Sequence, residues 1–503
     1  MSALKKLAGD TMIYGVSSIV ARFLNLLLTP VYTYTFPTGE YGILGNLLAY
    51  VAFLQVFLTY GMETSYFRFA SKSNKPEEVF GTSLIALSVT SLIFVIIISI
   101  FSGRISGWIG YPEQHLYIIW MGITVALDAV TAIPFAKLRL KQRPIKFAFF
   151  KILNIGINIF LNLFWILLCP RVLAHNPESI LRFVYSPSIG IGYAFLSYLI
   201  ASVVTLLLFL PDLGIKRLVF NKDRLREMLK YGWPILVVGL AGMVTLNIDK
   251  ILIPELLSNG KDPMSELGIY TANGKLAILM TLFIQAFRFS FEPFLFSHYK
   301  NEESKKVYSV IMNYFVIFGL LIFVGVLFYV DILKYFIGSG RLGYHDLEGL
   351  KIVPWLLMGN LFMGMFYTQS LWYKLTDQTH FGATFSIIGG LITLFINIIF
   401  LPKIGYMASA IAFFVSSLIT TLISYYYGQK YFPVKYNLKK IGAYFFVAIS
   451  LYVIEMNVKI NGVVLKYGFK TLLFSFFLIY IWYQEKSDLK RLLPKRLGVD
   501  REV

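Results

Sequence analysis

The chain of 503 residues is strongly hydrophobic and strongly basic, with 57% apolar residues and a formal net charge of +19 at pH 7. Its apolar residues come in blocks of about 20, the length of a helix that crosses the hydrocarbon core of a bilayer, so the composition excludes a soluble globular protein. A transmembrane barrel would instead show short alternating segments, and the single cysteine, Cys169, excludes a disulfide framework and a multi-cysteine metal site.

The apolar blocks predict an all-α polytopic membrane protein with about fourteen transmembrane helices. In chain order, the predicted spans lie near 11–36, 41–61, 80–101, 114–135, 147–169, 188–211, 232–254, 268–297, 307–330, 352–373, 381–401, 404–428, 441–456 and 467–484. The longest outer connection, 331–351, has only about 20 residues, too few to fold alone. The function is therefore expected to reside among the helices.

The density of Lys and Arg alternates from one loop to the next. Thirty of the 46 lie in one set of loops and tails, ten lie in the opposite set, and six lie inside the spans. The positive-inside rule places the rich set, which includes both termini, in the cytoplasm. Orientation therefore explains the basic excess, and no nucleic-acid partner is expected. No short apolar region with a cleavage site precedes the first span, so we expect that span to be retained.

Two short motifs recur six spans apart. Tyr14-Gly15 opens the first span and Tyr231-Gly232 the seventh, while Glu40-Tyr-Gly-Ile43 precedes the second span and Glu266-Leu-Gly-Ile269 the eighth. Such a repeat predicts two six-helix lobes related by an axis along the membrane normal, with a central cavity between them. The predicted units are an N-lobe at 1–215, a C-lobe at 216–430, and two helices with a cytoplasmic tail at 431–503. The basic loop 216–230 would link the lobes.

A single charged side chain, Arg22, lies near the middle of the first span. About eleven residues at 1.5 Å each place it roughly 16 Å from the nearer end of the helix, so snorkelling to an interface is strained. A guanidinium at that depth normally faces a protein interior or a wet cavity.

The seventh and eighth spans carry further charges. Arg288 and Glu292 are four residues apart and can neutralise each other on one helix face, whereas Lys275 has no acid within a turn and needs a cavity, a partner helix or a reach to the outer interface. Asp249 and Lys250 are adjacent, so their side chains point about 100° apart and a good intrahelical pair is not expected. Lys250 either contacts substrate or reaches the outer interface.

Three more acidic or basic positions are candidates for coupling or gating. Asp128 is central in the fourth span and has no local basic partner, so it is either protonated, paired across helices, or part of a proton or cation relay. Glu63 and Arg68 lie at the cytoplasmic end of the second span, where they either close that side by ion pairing or contact substrate.

The fifth span contains an asparagine stripe, with Asn154, Asn158 and Asn162 each four residues apart. This spacing predicts interhelical hydrogen bonds or, as the alternative, a polar cavity wall. Lys151 and Lys470 are predicted to reach an interface.

The opening segment, KKLAGDTMIYGVSSIVARFLNLLLTPVYTYTFPTGEYGILGNLLAYVAFLQVFLTYGMETSYFRF, resembles the Wzx-type oligosaccharide flippases. These belong to the superfamily that also holds the MATE drug exporters and the lipid II flippases. The later segments NIDKILIP and ELGIYTANGKLA are similar to that family's seventh and eighth helices. The resemblance implies two six-helix bundles in a V shape plus two C-terminal helices.

The resemblance also implies a function. Undecaprenyl-pyrophosphate-linked oligosaccharide units would move from the cytoplasmic to the periplasmic face of the bacterial inner membrane, for O-antigen or capsule synthesis. Alternating access would be coupled to a proton or sodium gradient, no other cofactor is expected, and the polysaccharide polymerase machinery is a candidate partner. The predicted substrate contacts are Arg22, Lys275, Arg288, Lys250, Asn154 and Asn158, and the predicted coupling or gating residues are Asp128, Asp249, Glu63, Arg68 and Glu292.

Two other classes of function are weighed against this hypothesis. A MATE-like exporter of organic cations would need an acidic lumen, whereas the charges within the spans lean basic. A membrane-embedded glycan polymerase or ligase would need a large outer loop with catalytic residues, and this chain lacks such a loop. The chain also lacks a Walker motif, so we predict a transporter and not an enzyme.

Overall fold

The computed structural model of the protein describes residues 3–214, 218–257, 260, 262–297, 302–338, 340–376 and 378–492. This part of the chain is largely helical and contains no β-strand. Its long helices are labelled by predicted span: α1 (Ala3–Leu26), α2 (Thr38–Thr59), α3 (Pro76–Trp108), α4 (His115–Leu140), α5 (Pro144–Leu163), α6 (Gly192–Leu213), α7 (Lys222–Leu256), α8a (Pro263–Gly274), α8b (Ile278–Ser297), α9 (Glu302–Phe328), α10 (Val353–Gln369), α11 (His380–Ile404), α12 (Met407–Tyr431), α13 (Leu438–Asn457) and α14 (Val463–Leu492).

Within the described residues, thirteen helical segments are long and apolar enough to cross a membrane. The predicted span that is not among them is α13, a helix of 20 residues that carries Lys439, Lys440 and Glu455 near its ends. The predicted fold class, an all-α polytopic membrane protein, is confirmed. The face that the positive-inside rule assigns to the periplasm is called the outer face below.

Several spans are interrupted, and local sequence explains two of the breaks. The first span consists of α1 and a short helix, Leu28–Thr35, because Pro30 has no N–H to bond the carbonyl of Leu26. The second span bends where α2 ends at Tyr60 and Gly61, which have φ angles of 34° and 72°. Glycine adopts such left-handed angles at little cost. In the eighth span, a turn of 3-10 helix separates α8a from α8b.

The segment between the two halves differs from the prediction of a basic loop over 216–230. Helix α7 already begins at Lys222, because the side chain of Asn221 caps it by accepting a hydrogen bond of 3.0 Å from the backbone N–H of Arg224. Residues 215–217, including the predicted lobe boundary at 215, lie outside the described residues. The basic residues from Lys222 to Lys230 therefore lie on a helical extension of the seventh span.

The helices divide into two groups by their packing. In the first group α1 packs on α5, α3 on α4, and α6 on both α4 and α5; in the second α7 packs on α11, α9 on α10, and α12 on both α10 and α11. The groups meet where α2 contacts α7 and α8a, and where α1 contacts α8b. Helices α13 and α14 pack against α9. This is the two-lobe arrangement that the repeat predicts.

The two repeated Glu-x-Gly-Ile motifs lie against each other where α2 crosses α8a. A Cβ atom added to Gly42 would lie 2.0 Å from the carbonyl oxygen of Met264 and 3.2 Å from the backbone nitrogen of Gly268. A Cβ atom added to Gly268 would lie 1.9 Å from the carbonyl oxygen of Thr38 and 3.2 Å from the backbone nitrogen of Gly42. The contacts are reciprocal, so an approximate two-fold axis passes between the two glycines, and only small residues allow the backbones to come this close.

The other repeated motif supports the same axis. Gly15 on α1 lies against Phe289 of α8b, and Gly232 on α7 lies against Tyr60 and Gly61 at the end of α2. The first helices of the two lobes, α1 and α7, therefore make equivalent contacts, each with the second span of the other lobe. The oxygen of Ser65 strengthens the second contact, since its hydroxyl donates to the carbonyl of Met228 at 3.0 Å.

On the outer face, the connection between α9 and α10 packs on the end of the first span. The Tyr344 hydroxyl donates to the carbonyl of Phe36 at 2.9 Å, and the Tyr34 hydroxyl donates to the carbonyl of Tyr335 at 2.7 Å. The side chain of Asn273 on α8a holds this connection by donating to the carbonyl of Tyr344 at 3.2 Å. In this conformation the lobes thus meet on the outer side of the space between them.

Buried ion pairs attach α13 and α14 to the rest of the protein near both membrane faces. Near the cytoplasmic face, Lys440 pairs with the buried Glu485 at 2.8 Å, and the Asn313 amide on α9 donates to the same carboxylate at 2.9 Å. Near the outer face, Lys470 pairs with Glu455 at 2.8 Å and with Asp331 at 3.0 Å.

The prediction that Lys470 reaches an interface is therefore wrong. Its side chain is only 3% exposed, because two carboxylates compensate its charge inside the protein. Burial would raise the pKa of Asp331, which lies between two spans, but the hydrogen bonds and charges of Lys466 and Lys470 outweigh burial and lower that pKa.

The glycine crossing makes a direct prediction. Gly268→Ala would place a methyl group into the backbone of α2, and relieving that overlap should cost on the order of 1–3 kcal/mol. We expect a clearly lower midpoint of thermal unfolding for the purified protein in detergent. Gly156→Ala is the matched control, since an added Cβ there meets no atom within 4 Å, and equal midpoints for the two variants would contradict the prediction.

Candidate functional site

A cavity of about 680 Å³ lies between the two lobes. It is lined from the N-lobe by α1, the short helix after it, α2 and Tyr198 of α6, and from the C-lobe by α7, both parts of the eighth span and α10. Among the described lining residues, three are cations, Arg22, Lys275 and Arg288, and none is Asp or Glu. The polar uncharged lining residues are Ser18, Asn25, Thr29, Tyr32, Tyr41, Tyr198, Thr271, Thr281, Gln285, Asn360 and Tyr367.

Arg22 and Arg288 face each other across the cavity from opposite lobes. The guanidinium carbon of Arg288 lies 4.4 Å from the ring centroid of Tyr367, and Arg22 lies within electrostatic range of both residues. The side chain of Arg22 is open to the cavity and makes no hydrogen bond or ion pair within the described part of the chain. Two guanidinium groups from opposite lobes are therefore close to one phenol ring.

Lys275 lies in another part of the same cavity. It begins the 3-10 turn between α8a and α8b, and within the described residues it too has no hydrogen bond or ion pair. Its charged neighbour is Lys250 on α7. The structure thus brings Arg22, Lys275 and Arg288 into one cavity, and their binding role stays a prediction.

Asp249 and Lys250 form an ion pair, so the prediction that these neighbours would not pair is wrong. The Lys250 amine lies 3.1 Å from a carboxylate oxygen of Asp249, whose other oxygen accepts a hydrogen bond of 2.5 Å from the Tyr270 hydroxyl. The long lysine side chain bends back along the helix, and Tyr270 fixes the carboxylate. Neither residue is among those that line the cavity, so Lys250 lies behind the wall that carries Lys275.

The asparagine stripe on α5 makes interhelical hydrogen bonds. Asn154 donates to Thr205 on α6 at 2.8 Å, and Asn158 donates to Asn25 on α1 at 3.4 Å. Neither Asn154 nor Asn158 is among the cavity-lining residues. Through Asn25, however, Asn158 holds a side chain that does line the cavity.

The next asparagine of the stripe, Asn162, has a larger role than the sequence indicated. Its amide donates to Asn158, and its oxygen accepts a hydrogen bond of 2.8 Å from the hydroxyl of Tyr32, a cavity-lining residue. Both side chains are buried. The N-lobe wall is therefore a hydrogen-bonded layer fixed from behind by α5.

Sequence reasoning missed a polar face on the first span that a simple spacing test would have found. Ser18, Arg22, Asn25, Thr29 and Tyr32 recur at intervals of four and three residues, so they lie on one face of a helix, and all five line the cavity. Only Arg22 was singled out, because a charge is more conspicuous than a stripe of neutral polar side chains.

Three of the predicted coupling or gating residues, Asp128, Glu63 and Arg68, lie away from the cavity. Asp128 accepts a hydrogen bond of 2.7 Å from Ser202 on α6, and Lys151 on α5 lies within electrostatic range. A basic partner for Asp128 thus comes from another helix. The Lys151 amine also lies 4.3 Å from the ring centroid of Phe135, inside the N-lobe.

Glu63 and Arg68 were also predicted to act in gating, and both lie at the cytoplasmic end of the second span. Glu63 pairs with Arg139 at the end of α4 and not with Arg68. The guanidinium of Arg68 instead lies 4.1 Å from the ring centroid of Tyr231 on α7, which connects the two lobes. Glu292 lies on α8b, but its side chain is outside the part of the structure that is described.

The fold is that of transporters of the MOP superfamily. The lipid II flippase MurJ in an inward closed conformation superposes with a TM-score of 0.71 at 14% identity, covering 94% of this chain and 99% of that one. A multidrug resistance MATE family transporter in its inward-facing conformation gives a TM-score of 0.56 at 13% identity, covering 82% of this chain and 94% of that one. The outward-facing conformation of a MATE family transporter gives 0.53 at 12% identity, covering 86% and 98%.

The sequence identifies the family. Residues 7–290, more than half of the chain, match the model of the family described as polysaccharide biosynthesis protein. The chain therefore belongs to the polysaccharide biosynthesis protein family, in agreement with the resemblance found in its opening segment. No curated protein matches the sequence.

The buried layer behind the cavity wall can be tested by a double-mutant cycle. Asn162→Leu should destabilise the protein by roughly 1–3 kcal/mol, because the Tyr32 hydroxyl loses its acceptor in a buried site. Adding Tyr32→Phe should recover part of that loss, since removing both partners leaves no polar group unpaired. Thermal unfolding of the two single variants and the double variant measures the coupling, and strictly additive effects would contradict it.

Proposed function

We propose that the protein is a flippase that moves undecaprenyl-pyrophosphate-linked oligosaccharide units from the cytoplasmic to the outer face of the bacterial inner membrane, for synthesis of a surface polysaccharide. The observation that carries this proposal is the cavity between the lobes, whose described lining includes Arg22, Lys275 and Arg288 but no carboxylate. Family membership points to polysaccharide biosynthesis, and one structural relative is named as a lipid II flippase.

The chemistry of the cavity suits a diphosphate. An anion moved through hydrocarbon without compensation would meet a large desolvation cost, and the cations of the cavity offset it. The planar guanidinium of arginine binds phosphate oxygens in a bidentate manner, so Arg22 and Arg288 are the candidate diphosphate contacts. The neutral polar layer of Asn25, Tyr32 and its neighbours is the candidate surface for sugar hydroxyls.

An exporter of organic cations is the second candidate, supported by the likeness of the fold to MATE family transporters. The electrostatics of the cavity argue against it, because the lining residues that the structure describes include three basic side chains and no acidic one, so they would repel a cationic substrate. A polymerase or ligase finds no support in the family or in the structural relatives, which are transporters.

The proposal is tested first in the native host. Deletion of the gene should cause lipid-linked oligosaccharide to accumulate on the cytoplasmic side and surface polysaccharide to fall. Lipid extracts and surface glycan provide the two measurements. Undiminished surface glycan in a strain without a redundant flippase would reject the proposal.

Variants of Arg22 test the cavity directly. Arg22→Ala should abolish complementation of the deletion strain, whereas Arg22→Lys should retain part of it, because lysine keeps the charge but loses the bidentate geometry. Arg104→Ala, which removes an exposed arginine outside the cavity, is the matched control. Full complementation by the alanine variant at equal expression would remove Arg22 from the mechanism.

We further propose that a proton or sodium gradient drives transport and that Asp128 takes part in coupling. Its carboxylate lies inside the N-lobe with Ser202 and Lys151 nearby, so a change in its charge would alter packing between α4, α5 and α6. Asp128→Asn in proteoliposomes should retain downhill exchange of substrate and lose gradient-driven accumulation. Accumulation that persists when both gradients are collapsed would exclude coupling to either ion.

A further inference from the structure

The cationic side chains of the cavity lie in two separate groups. Arg22 and Arg288 lie together around Tyr367, whereas the charged neighbour of Lys275 is Lys250. Along the eighth span, Lys275 precedes Arg288 by 13 residues, which corresponds to roughly 20 Å at the rise of an α-helix. A single diphosphate held between the two guanidinium groups would thus leave Lys275 without a counter-ion.

The part of the cavity around Lys275 has the features of a binding site. Lys275 itself has no hydrogen bond or ion pair within the described residues, although Asp249 lies on a neighbouring helix. That carboxylate is already held by Lys250 and Tyr270. One turn before Lys275, Thr271 also lines the cavity, and its hydroxyl, which lies against Gly45 of α2, has no hydrogen-bond partner among the described residues.

We propose that Lys275 binds a second anionic group of the transported molecule, a carboxylate carried by the glycan, while Arg22 and Arg288 hold the diphosphate. This inference rests on the proposed function and narrows the substrate class to oligosaccharide units that contain an acidic sugar. A lysine ammonium is a compact point charge, which suits a single carboxylate.

The physical reason is charge compensation inside the membrane. An ammonium group that is withdrawn from bulk water without a partner is unfavourable, and the described residues that line the cavity provide no carboxylate for it. An acidic sugar would provide that partner only while substrate is bound. A neutral glycan of the same length would leave the charge of Lys275 uncompensated, so the cavity should discriminate against it.

The test uses proteoliposomes of the full-length protein and two synthetic substrates. Both carry the same polyprenyl diphosphate and the same number of sugars, but one contains a hexuronic acid where the other contains the corresponding neutral hexose. Initial rates of transport are measured over a range of concentrations of each substrate for the wild type, Lys275→Gln, Lys275→Arg and Lys403→Gln. Lys403 is an exposed lysine at the end of α11, outside the cavity, and serves as the matched control.

We expect the wild type and Lys403→Gln to favour the acidic substrate in kcat/KM by about tenfold or more, the effect of one charge-assisted hydrogen bond. Lys275→Gln should lose this preference, because transport of the acidic substrate falls while transport of the neutral substrate rises once the uncompensated charge is gone. Faster transport of the neutral substrate would also show that the variant is folded. Lys275→Arg should keep most of the preference.

Other outcomes overturn the inference in distinguishable ways. An equal loss of transport for both substrates in Lys275→Gln would mean that Lys275 contacts the diphosphate during its passage. A wild type that moves both substrates equally well would exclude an acidic sugar as the specificity element, and the proposed flippase function would stand. Only failure of the wild type to move either substrate would reject the proposed function itself.

Discussion

The close approach of two helix backbones at Gly42 and Gly268 is the constraint on which the rest of the structure depends. At this crossing α2 and α8a are separated by less than the space of a methyl group, so the two lobes meet without intervening side chains. The crossing fixes the helices that continue inward from it, and these helices carry the cavity wall. The site is thus positioned by two glycines, which have no side chain that could bind a ligand.

The cavity differs from the usual interior of a membrane protein, where charged side chains are compensated by other side chains of the protein. Two sets of charges outside the cavity are paired within the protein, Asp249 with Lys250 and Lys470 with two carboxylates. Arg22 and Lys275 stand apart from this pattern within the described residues. Because a protein can easily supply an acidic side chain, a lining with none among its described residues favours a ligand that brings its own negative charge.

The sequence allowed the helical class, the spans and the repeat to be predicted, because these depend on local length, composition and spacing. The eighth span shows what could not be predicted from the sequence. Its charges were visible, but the position of Lys275 apart from Arg288 depends on a 3-10 turn that no local signal marks. The pairing of Asp249 with Lys250 and the hydrogen bond from Tyr32 to Asn162 depend on which helices are neighbours, and a single sequence does not contain that information.

The two-fold axis has a further consequence, since the scaffold is duplicated while its charges are not. Counting from the repeated motifs, the residue equivalent to Arg22 is Gly239, and the residue equivalent to Lys275 is Ala49. Each lobe therefore presents a different wall on an equivalent frame. The symmetric frame places the helices of the two lobes equivalently around the cavity, whereas the asymmetric lining gives a bound molecule one preferred orientation within it.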